Sequence, residues 1–381
     1  MGTLEHIKES GAGKMNRKGN ILIVFIAVLL WGIGLGVISG YGQSINLYVK
    51  TMNATLICFL GTFLFWRKHF SKYKIKLFLY LCFSNLLTYM LYHHTILEYV
   101  WLYVLVFLLS QFRVSEKQLQ KIGLIYGLLG GAVLWVANFT DFFKGWDGNS
   151  VSMISFFSYT IFSATTYSQK KKALKYIFIL YSILYFVWLE VTESRASMLF
   201  SIVLLLALLF PEFTKSAIKS DAARRAWLLT PLLIAVFVVV IRNTSFVNGL
   251  NLWSVVTFGK TIFNGRDTIW YNGFQKFGAY FLLGCGDLSG NWHNSAVTCL
   301  IGTGVVGYLV WIFGINRLYK FARNWLTDPY VYGLSSAFIF VWLQQSVELG
   351  LVAAHGHIVP FVLLGILCAR INTLRREYNE C

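Results

Sequence analysis

Charged residues are scarce in this chain. Only 13% of its 381 residues are Asp, Glu, Lys or Arg, and 57% are hydrophobic, whereas an ordinary soluble domain has about 25% charged residues. A soluble protein of this length surrounds its apolar core with a charged shell, and too few charges are present to form one. The composition therefore excludes an ordinary soluble globular protein and favours a membrane protein.

Cysteine and proline are also scarce, with six and four residues respectively. The spacing of Cys285 to Cys299 matches no metal or redox motif, so neither a disulfide framework nor a cysteine metal site is predicted. No Pro-rich linker and no internal repeat divides the chain, which predicts a single membrane domain over 1–381. No Ala-x-Ala-like cleavage site follows the first apolar run, so we interpret that run as a span and not as a signal peptide.

Long apolar runs dominate what is present. Each is close to the roughly 20 residues that cross a bilayer as a helix. The sequence therefore predicts an all-α, polytopic fold with about twelve transmembrane helices. The predicted spans are 21–38, 44–65, 76–92, 96–112, 121–139, 151–168, 174–190, 196–210, 227–241, 296–315, 331–347 and 352–369.

The basic residues divide unequally between the two sides of this arrangement. With the N-terminus inside, 26 of the 33 Lys and Arg residues lie in inner segments and seven lie outside. This is the positive-inside pattern, and it predicts a plasma-membrane protein with cytoplasmic ends at 1–20 and 370–381. Because the basic residues lie in short loops beside spans, membrane lipids explain the net charge of +17, and no nucleic-acid partner is predicted.

One outer connection, 242–295, is much longer than the others. Long loops with many glycines and aromatic residues are where sites are commonly built. Within it, the 258–281 stretch has aromatic and apolar residues at roughly helical spacing. We expect a short amphipathic helix there, lying across the membrane surface.

Arg195 is the first candidate site residue on the predicted outer face. The connection between its two spans is so short that the guanidinium must lie at the membrane boundary, where a charge needs a partner or a ligand. An arginine that reaches the interface and pairs with Glu190 or Glu193 is the simpler alternative.

A second group follows in the long loop. Arg266 offers a planar fork that fits phosphate oxygens, and His293 can act as a base near neutral pH. Simpler alternatives are a plain turn at the Asn-Gly pair before Arg266 and a capping or packing role for His293.

The third group lies at the outer end of the predicted span 331–347. Glu348 is an acid at the edge of a span, so we expect it to have a partner. His355 and His357 are two residues apart, a spacing that separates their side chains on a helix. No metal site is predicted.

Several short motifs follow one another along 190–310; four fall on the predicted outer side, and the last lies in the span that follows. They are Thr192-Glu-Ser-Arg195, Gly265-Arg266-x-x-x-Trp270, Leu283-Gly284-x-Gly286, His293-Asn294-Ser295 and Gly302-x-Gly304-x-x-Gly307. In order and spacing they resemble the O-antigen polymerase and O-antigen ligase family of bacterial membrane glycosyltransferases.

The resemblance implies a reaction at the outer face of the bacterial inner membrane. Family members use glycans carried on undecaprenyl diphosphate, so donor and acceptor would both be lipid-linked glycans, with no cofactor and no metal. A polymerase extends a glycan with repeat units of O-antigen, capsule or exopolysaccharide. A ligase transfers a finished glycan to lipid A core. A chain-length regulator is an implied partner of a polymerase.

The resemblance also implies roles for individual residues. Arg195 and Arg266 would clamp the leaving diphosphate, and His293 would deprotonate the attacking hydroxyl. The further substrate contacts that it predicts are Asp267, Trp270, Asn294 and Glu348. Asp267 and Glu348 are alternative bases or partners of the arginines, and Trp270 either stacks on a sugar or anchors the chain at the interface.

Polymerase is favoured over ligase because the outer loop is modest and no extra soluble region is present. A lipid-linked oligosaccharide transporter is the competing class. Carriers commonly show half-to-half repeats and polar residues at mid-membrane. This chain shows no such repeat, and its outer charges lie at the predicted span ends.

Overall fold

The structure is a computed structural model, and it describes 72–92, 97–140, 148–168, 172–192, 194–286, 288, 290, 292–349, 351 and 358–380. The predicted spans 21–38 and 44–65, the segment 1–20, and His355 and His357 lie outside these residues.

All regular secondary structure in these described ranges is helical, as the sequence predicts. Short 3-10 turns occur at Glu190–Thr192 and Arg323–Trp325. The α-helices are α1 (Lys72–Tyr92), α2 (Leu97–Leu109), α3 (Glu116–Phe139), α4 (Gly148–Thr166), α5 (Lys172–Leu189), α6 (Arg195–Leu209), α7 (Pro211–Lys219), α8 (Asp221–Ile241), α9 (Ser245–Phe258), α10 (Arg266–Ala279), α11 (Ser295–Ala322), α12 (Pro329–Gln344) and α13 (Ile358–Glu380).

A helix lies at each of the ten predicted spans that fall in the described part of the chain. Four helices there, α3, α8, α11 and α13, are long and apolar enough to cross a membrane. α13 continues to Glu380, so most of the predicted tail 370–381 is helical. The long connection 242–295 contains two helices, α9 and α10, where the sequence predicted one.

Large apolar side chains cover the outside of several helices. On α5, Leu180, Ile183 and Val187 are each more than half exposed and recur every three to four residues along one face. In water, contiguous apolar surface of this kind is unfavourable, because monomeric soluble proteins rarely expose large patches. Facing lipid it costs nothing, which agrees with a membrane protein.

Small residues let α3 and α4 approach closely. Gly123, Gly127 and Gly130 follow each other at spacings of four and three along the α3 surface. A Cβ on Gly123 would overlap the side chain of Thr165, and one on Gly130 would lie 2.6 Å from Ser158 Cβ. Helices in membranes associate through such small-residue contacts, since lipid supplies little hydrophobic drive between them.

Replacing Gly130 by leucine is therefore expected to destabilise the protein by about 1–3 kcal/mol, the usual cost of overpacking. Thermal unfolding in detergent would measure the loss. Gly249→Leu is the matched control, because a Cβ on Gly249 meets nothing within 4 Å. Equal melting temperatures for the two variants would contradict close α3–α4 packing.

The orientation of α4, α6 and α12 follows from two contacts. Ser197 Oγ donates to Ser152 Oγ (3.2 Å), so α6 and α4 begin at the same end of the bundle. Tyr167 Oη, just after α4, donates to the carbonyl of Pro329 (3.0 Å), where α12 begins. α12 therefore finishes where α4 and α6 begin, and we call this end of the bundle the site end.

α11 is broken at Gly304. This residue has φ 65° and ψ −171°, a conformation that essentially only glycine adopts. Ser295 donates its N–H to the Gln345 carbonyl (3.1 Å), and the Trp311 ring stacks on Trp342 at 4.6 Å. On the α12 side the two contact positions, Trp342 and Gln345, are about 4.5 Å apart along the helix axis. On the α11 side Ser295 and Trp311 would be about 24 Å apart if the helix were unbroken. The first half of α11 thus does not run along α12.

The segment 281–286 supplies the hydrogen bonds that the break removes from the helix. Four such bonds are present: Cys285 N to Ile301 O (2.8 Å), Gly286 N to Gly302 O (2.9 Å), Val305 N to Phe281 O (3.0 Å) and Val306 N to Leu282 O (3.2 Å). Irregular backbone at membrane depth is tolerated where protein satisfies it. The sequence predicted a span over 296–315, and a candidate span is present there; the break within it was not predicted.

Candidate functional site

A small apolar core fixes α10 against α8 and α11. Trp270 is buried on α10 and packs with Ala235, Val297 and Ile301. Its indole Nε1 donates to the carbonyl of Trp292 (2.8 Å). With 1% of Trp270 exposed, its ring has no open face for a sugar, so the structure gives it a packing role.

A tight turn aims the start of α10. Asn264 and Gly265 both have positive φ, 51° and 79°, and glycine adopts this conformation without strain. Arg266 is the first residue of α10 and donates its N–H to the carbonyl of Phe263 (3.0 Å). The Asn-Gly turn and the packed Trp270 together set the direction in which the Arg266 side chain leaves the helix.

Asn294 is the N-cap of α11 and is fully buried. Its Oδ1 accepts from the N–H groups of Ala296 and Val297, and its Nδ2 donates to the carbonyls of Pro231 and Ser346. These four bonds use the full capacity of a side-chain amide. Asn294 therefore positions the site, and a direct contact with substrate would require one of these bonds to break.

Ser295 joins the start of α11 to the end of α12. Its Oγ donates to Gln345 Oε1 (2.8 Å), in addition to the bond between its N–H and the Gln345 carbonyl. The turn after α12 is therefore held against Asn294 and Ser295, which follow His293. This coupling role of Gln345 was not predicted from the sequence.

Glu348 lies between Arg266 and His293. Arg266 Nη2 donates to Glu348 Oε1 (2.9 Å), and Arg266 Nε donates to the carbonyl of Val347 (3.0 Å). Glu348 Oε2 lies 4.0 Å from His293 Nδ1. Two of the five guanidinium N–H groups are thus used, and no other described residue takes the remaining three. The partner that the sequence predicted for Glu348 is present.

His293 has an unusual backbone conformation, with φ 46°. Positive φ is uncommon outside glycine and is found disproportionately at functional sites. Its side chain is one-third exposed, whereas that of Glu348 is 8% exposed. The imidazole therefore lies at the boundary between the buried carboxylate and the surroundings.

Arg195 is exposed and begins α6 at the site end. The Tyr332 hydroxyl on α12 donates to the Ala207 carbonyl on α6 (2.6 Å). Arg195 lies twelve residues before Ala207 on α6, and Gln344 lies twelve residues after Tyr332 on α12. Arg195 and Gln344 thus lie at similar heights, each about 18 Å along its helix from that contact. Arg195 is at the same end as Arg266, without a described contact between them.

Asp267 follows Arg266 on α10 and is half-buried. Among the described residues it forms no hydrogen bond and no ion pair, so it does not hold either arginine. Of the predicted site residues, the structure brings Arg266, Glu348, His293 and Asn294 together.

The cluster can bind an anion and accept a proton. Arg266 supplies a guanidinium whose orientation is fixed by two contacts, and His293 supplies an imidazole next to a carboxylate. No group of three His, Cys, Asp or Glu side chains in the described part of the chain is arranged to hold a metal ion.

One further arginine with a defined contact was not predicted as a site residue. Arg242, the C-cap of α8, stacks on Tyr271 with its guanidinium carbon 3.4 Å from the ring centroid. The sequence gave no signal beyond the charge itself, because the pairing depends on how α8 meets α10.

No family model, no curated protein and no solved structure matches this chain.

Proposed function

We propose that this chain is a membrane glycosyltransferase that polymerises lipid-linked oligosaccharide repeat units at the outer face of the bacterial plasma membrane. The donor and the acceptor are glycans on undecaprenyl diphosphate. The observation that carries the proposal is the Arg266–Glu348–His293 cluster, in which one carboxylate links a phosphate-binding side chain to a base. The reaction needs both of these groups, one for the leaving diphosphate and one for the attacking hydroxyl.

In the proposed reaction the acceptor hydroxyl attacks the anomeric carbon of the donor sugar. The bond between that carbon and the diphosphate oxygen breaks, and the electron pair leaves with the diphosphate. Three N–H groups of Arg266 remain to bind the leaving oxygens, and charge-assisted bonds of this type are strong. His293 accepts the proton of the hydroxyl, and Glu348 stabilises the imidazolium that forms.

The proposed topology has twelve spans with both ends in the cytoplasm. It rests on the alternation of basic loops along the sequence and is supported by helices at ten of the predicted positions. In this topology the site end faces outward, because α4, α6 and α11 begin there and α12 finishes there. Arg195 would complete the diphosphate clamp from α6, at the same end as Arg266.

Reconstitution tests the function. The purified protein in detergent is mixed with lipid-linked repeat units and no nucleotide sugar, and the products are separated by gel electrophoresis. A ladder of lengthened glycans is the expected result. Transfer seen only after lipid A core is added would indicate a ligase. Movement of lipid-linked sugar across vesicles without transfer would indicate a carrier and would overturn the proposal.

A further inference from the structure

Arg242 contacts an aromatic ring, and no residue in the described part of the chain accepts a hydrogen bond from its guanidinium. The guanidinium carbon lies 3.4 Å from the centroid of the Tyr271 ring, a distance at which the two planes must stack, so the N–H groups lie in the guanidinium plane and do not point at the ring. Within the described ranges it forms no hydrogen bond and no ion pair. Arg266 and Arg370 differ in this respect, because both pair with carboxylates. A positioned cation with free in-plane donors fits the oxygens of a phosphate.

An uncharged apolar surface begins three residues after Arg242. The α9 sequence, SFVNGLNLWSVVTF, contains no charged residue. Phe246, Leu252, Trp253 and Val256 are all more than half exposed, and Val256 reaches 88%. Exposed apolar surface of this extent marks an interaction with lipid or protein.

We propose that Arg242 and α9 form a second binding site for a lipid diphosphate, with the diphosphate on the Arg242 guanidinium and the isoprenoid chain along α9. The proposal rests on the proposed function, because a polymerase handles two lipid-linked substrates at once. Arg266 binds the diphosphate that leaves the donor. Arg242 binds the diphosphate of the acceptor, which stays attached to its glycan throughout the reaction.

Two features favour this occupant over a protein partner. The surface combines a half-buried arginine with an uncharged helix that exposes large apolar side chains, and this combination complements an anionic headgroup and a hydrocarbon tail. α9 also follows directly from α8, one of the helices apolar enough to cross a membrane. A helix that leaves such a span with an uncharged exposed face lies where lipid chains begin.

The test counts bound lipid. The intact protein is placed in phosphatidylcholine nanodiscs and titrated with undecaprenyl diphosphate that carries no glycan. Two molecules per chain are expected. Arg242→Gln is expected to weaken one of the two by about tenfold or more, the usual effect of losing a charge-assisted contact. Arg225→Gln, an exposed arginine near the start of the same helix, is the matched control and should bind two.

Further variants separate the headgroup from the tail. Tyr271→Leu keeps the charge but removes the stacking ring, and it should weaken the same molecule. Leu252→Asn with Val256→Asn should weaken the lipid but leave binding of inorganic diphosphate unchanged. Equal affinity for inorganic diphosphate and for the lipid in the unmodified protein would overturn the role of α9.

Three other outcomes would contradict the proposal. If the Arg242→Gln variant still binds two lipids, Arg242 is not part of the second site. Displacement of the second lipid by an equal amount of phosphatidylglycerol would make the site one for ordinary anionic phospholipid. Capture of a protein in place of lipid would identify α9 as a protein interface. If two lipids bind and depend on Arg242 but no glycan is transferred, the inference holds and the proposed reaction fails.

Discussion

Replacing Arg266 by lysine is expected to lower the rate of glycan transfer by about 100-fold or more, the loss usually seen when a donor to developing negative charge is removed. Lysine keeps the charge but lacks the planar fork. It cannot donate to the Val347 carbonyl and the Glu348 carboxylate and also present N–H groups in one plane to a diphosphate. Single-turnover kinetics in the reconstituted system would measure the loss.

The rate constant and the Michaelis constant distinguish the possible roles of Arg266. Loss of a group that acts on the leaving diphosphate lowers kcat, whereas loss of a group that only binds the substrate raises KM. Arg225→Lys, made in the same background, should leave both constants unchanged. A rise in KM at full kcat would show that Arg266 recruits the substrate without stabilising the transition state, and the clamp would then have to be reassigned.

Replacing Gly304 by alanine is expected to destabilise the protein by about 3 kcal/mol or more, because strain and overlap each cost about 1–3 kcal/mol. The backbone conformation at Gly304 suits glycine alone, and a Cβ there would overlap the carbonyl oxygen of Leu282. A backbone atom cannot rotate aside as a side chain can. The variant must therefore either distort the break or detach the segment 281–286.

Two measurements check this expectation. Thermal unfolding in detergent gives the loss of stability, and the rate of alkylation at Cys285 reports whether the segment has detached, since the Cys285 N–H pairs with Ile301. Faster alkylation is expected in Gly304→Ala. Gly278→Ala is the control, because a Cβ there meets nothing within 4 Å. Unchanged stability together with unchanged alkylation would show that the break tolerates a side chain.

Those features of the fold that depend on local chemistry could be predicted from the sequence. Apolar runs bounded by basic residues located ten of the described helices, because both signals are those of membrane spans. The Asn264–Gly265 turn was foreseen as an alternative, since the residue pair favours positive φ. Glu348 was expected to have a partner because an isolated acid at a span edge is costly, and Arg266 is that partner.

Other features depend on distant parts of the chain and could not be foreseen. The run through α11 is uniformly apolar, so hydropathy indicates one continuous helix, while the partners that stabilise the break lie about twenty residues earlier. Trp270 was expected near substrate, yet it packs in a core whose members come from α8, α10 and α11. Asn294 was expected to contact substrate. Its side-chain amide instead caps α11 and donates to carbonyls of two other segments.

The break in α11 also bears on how this protein can vary over evolution. A Cβ on Gly284 would strike the backbone of Gly302, and one on Gly304 would strike the backbone of Leu282. Each glycine is thus required by the main chain of the other's neighbours, and no substitution at one position can be offset by a change of side chain at the other. We therefore expect the two glycines to be kept or lost together. The neighbouring Leu282 and Leu283 are exposed, so their side chains are not under this constraint.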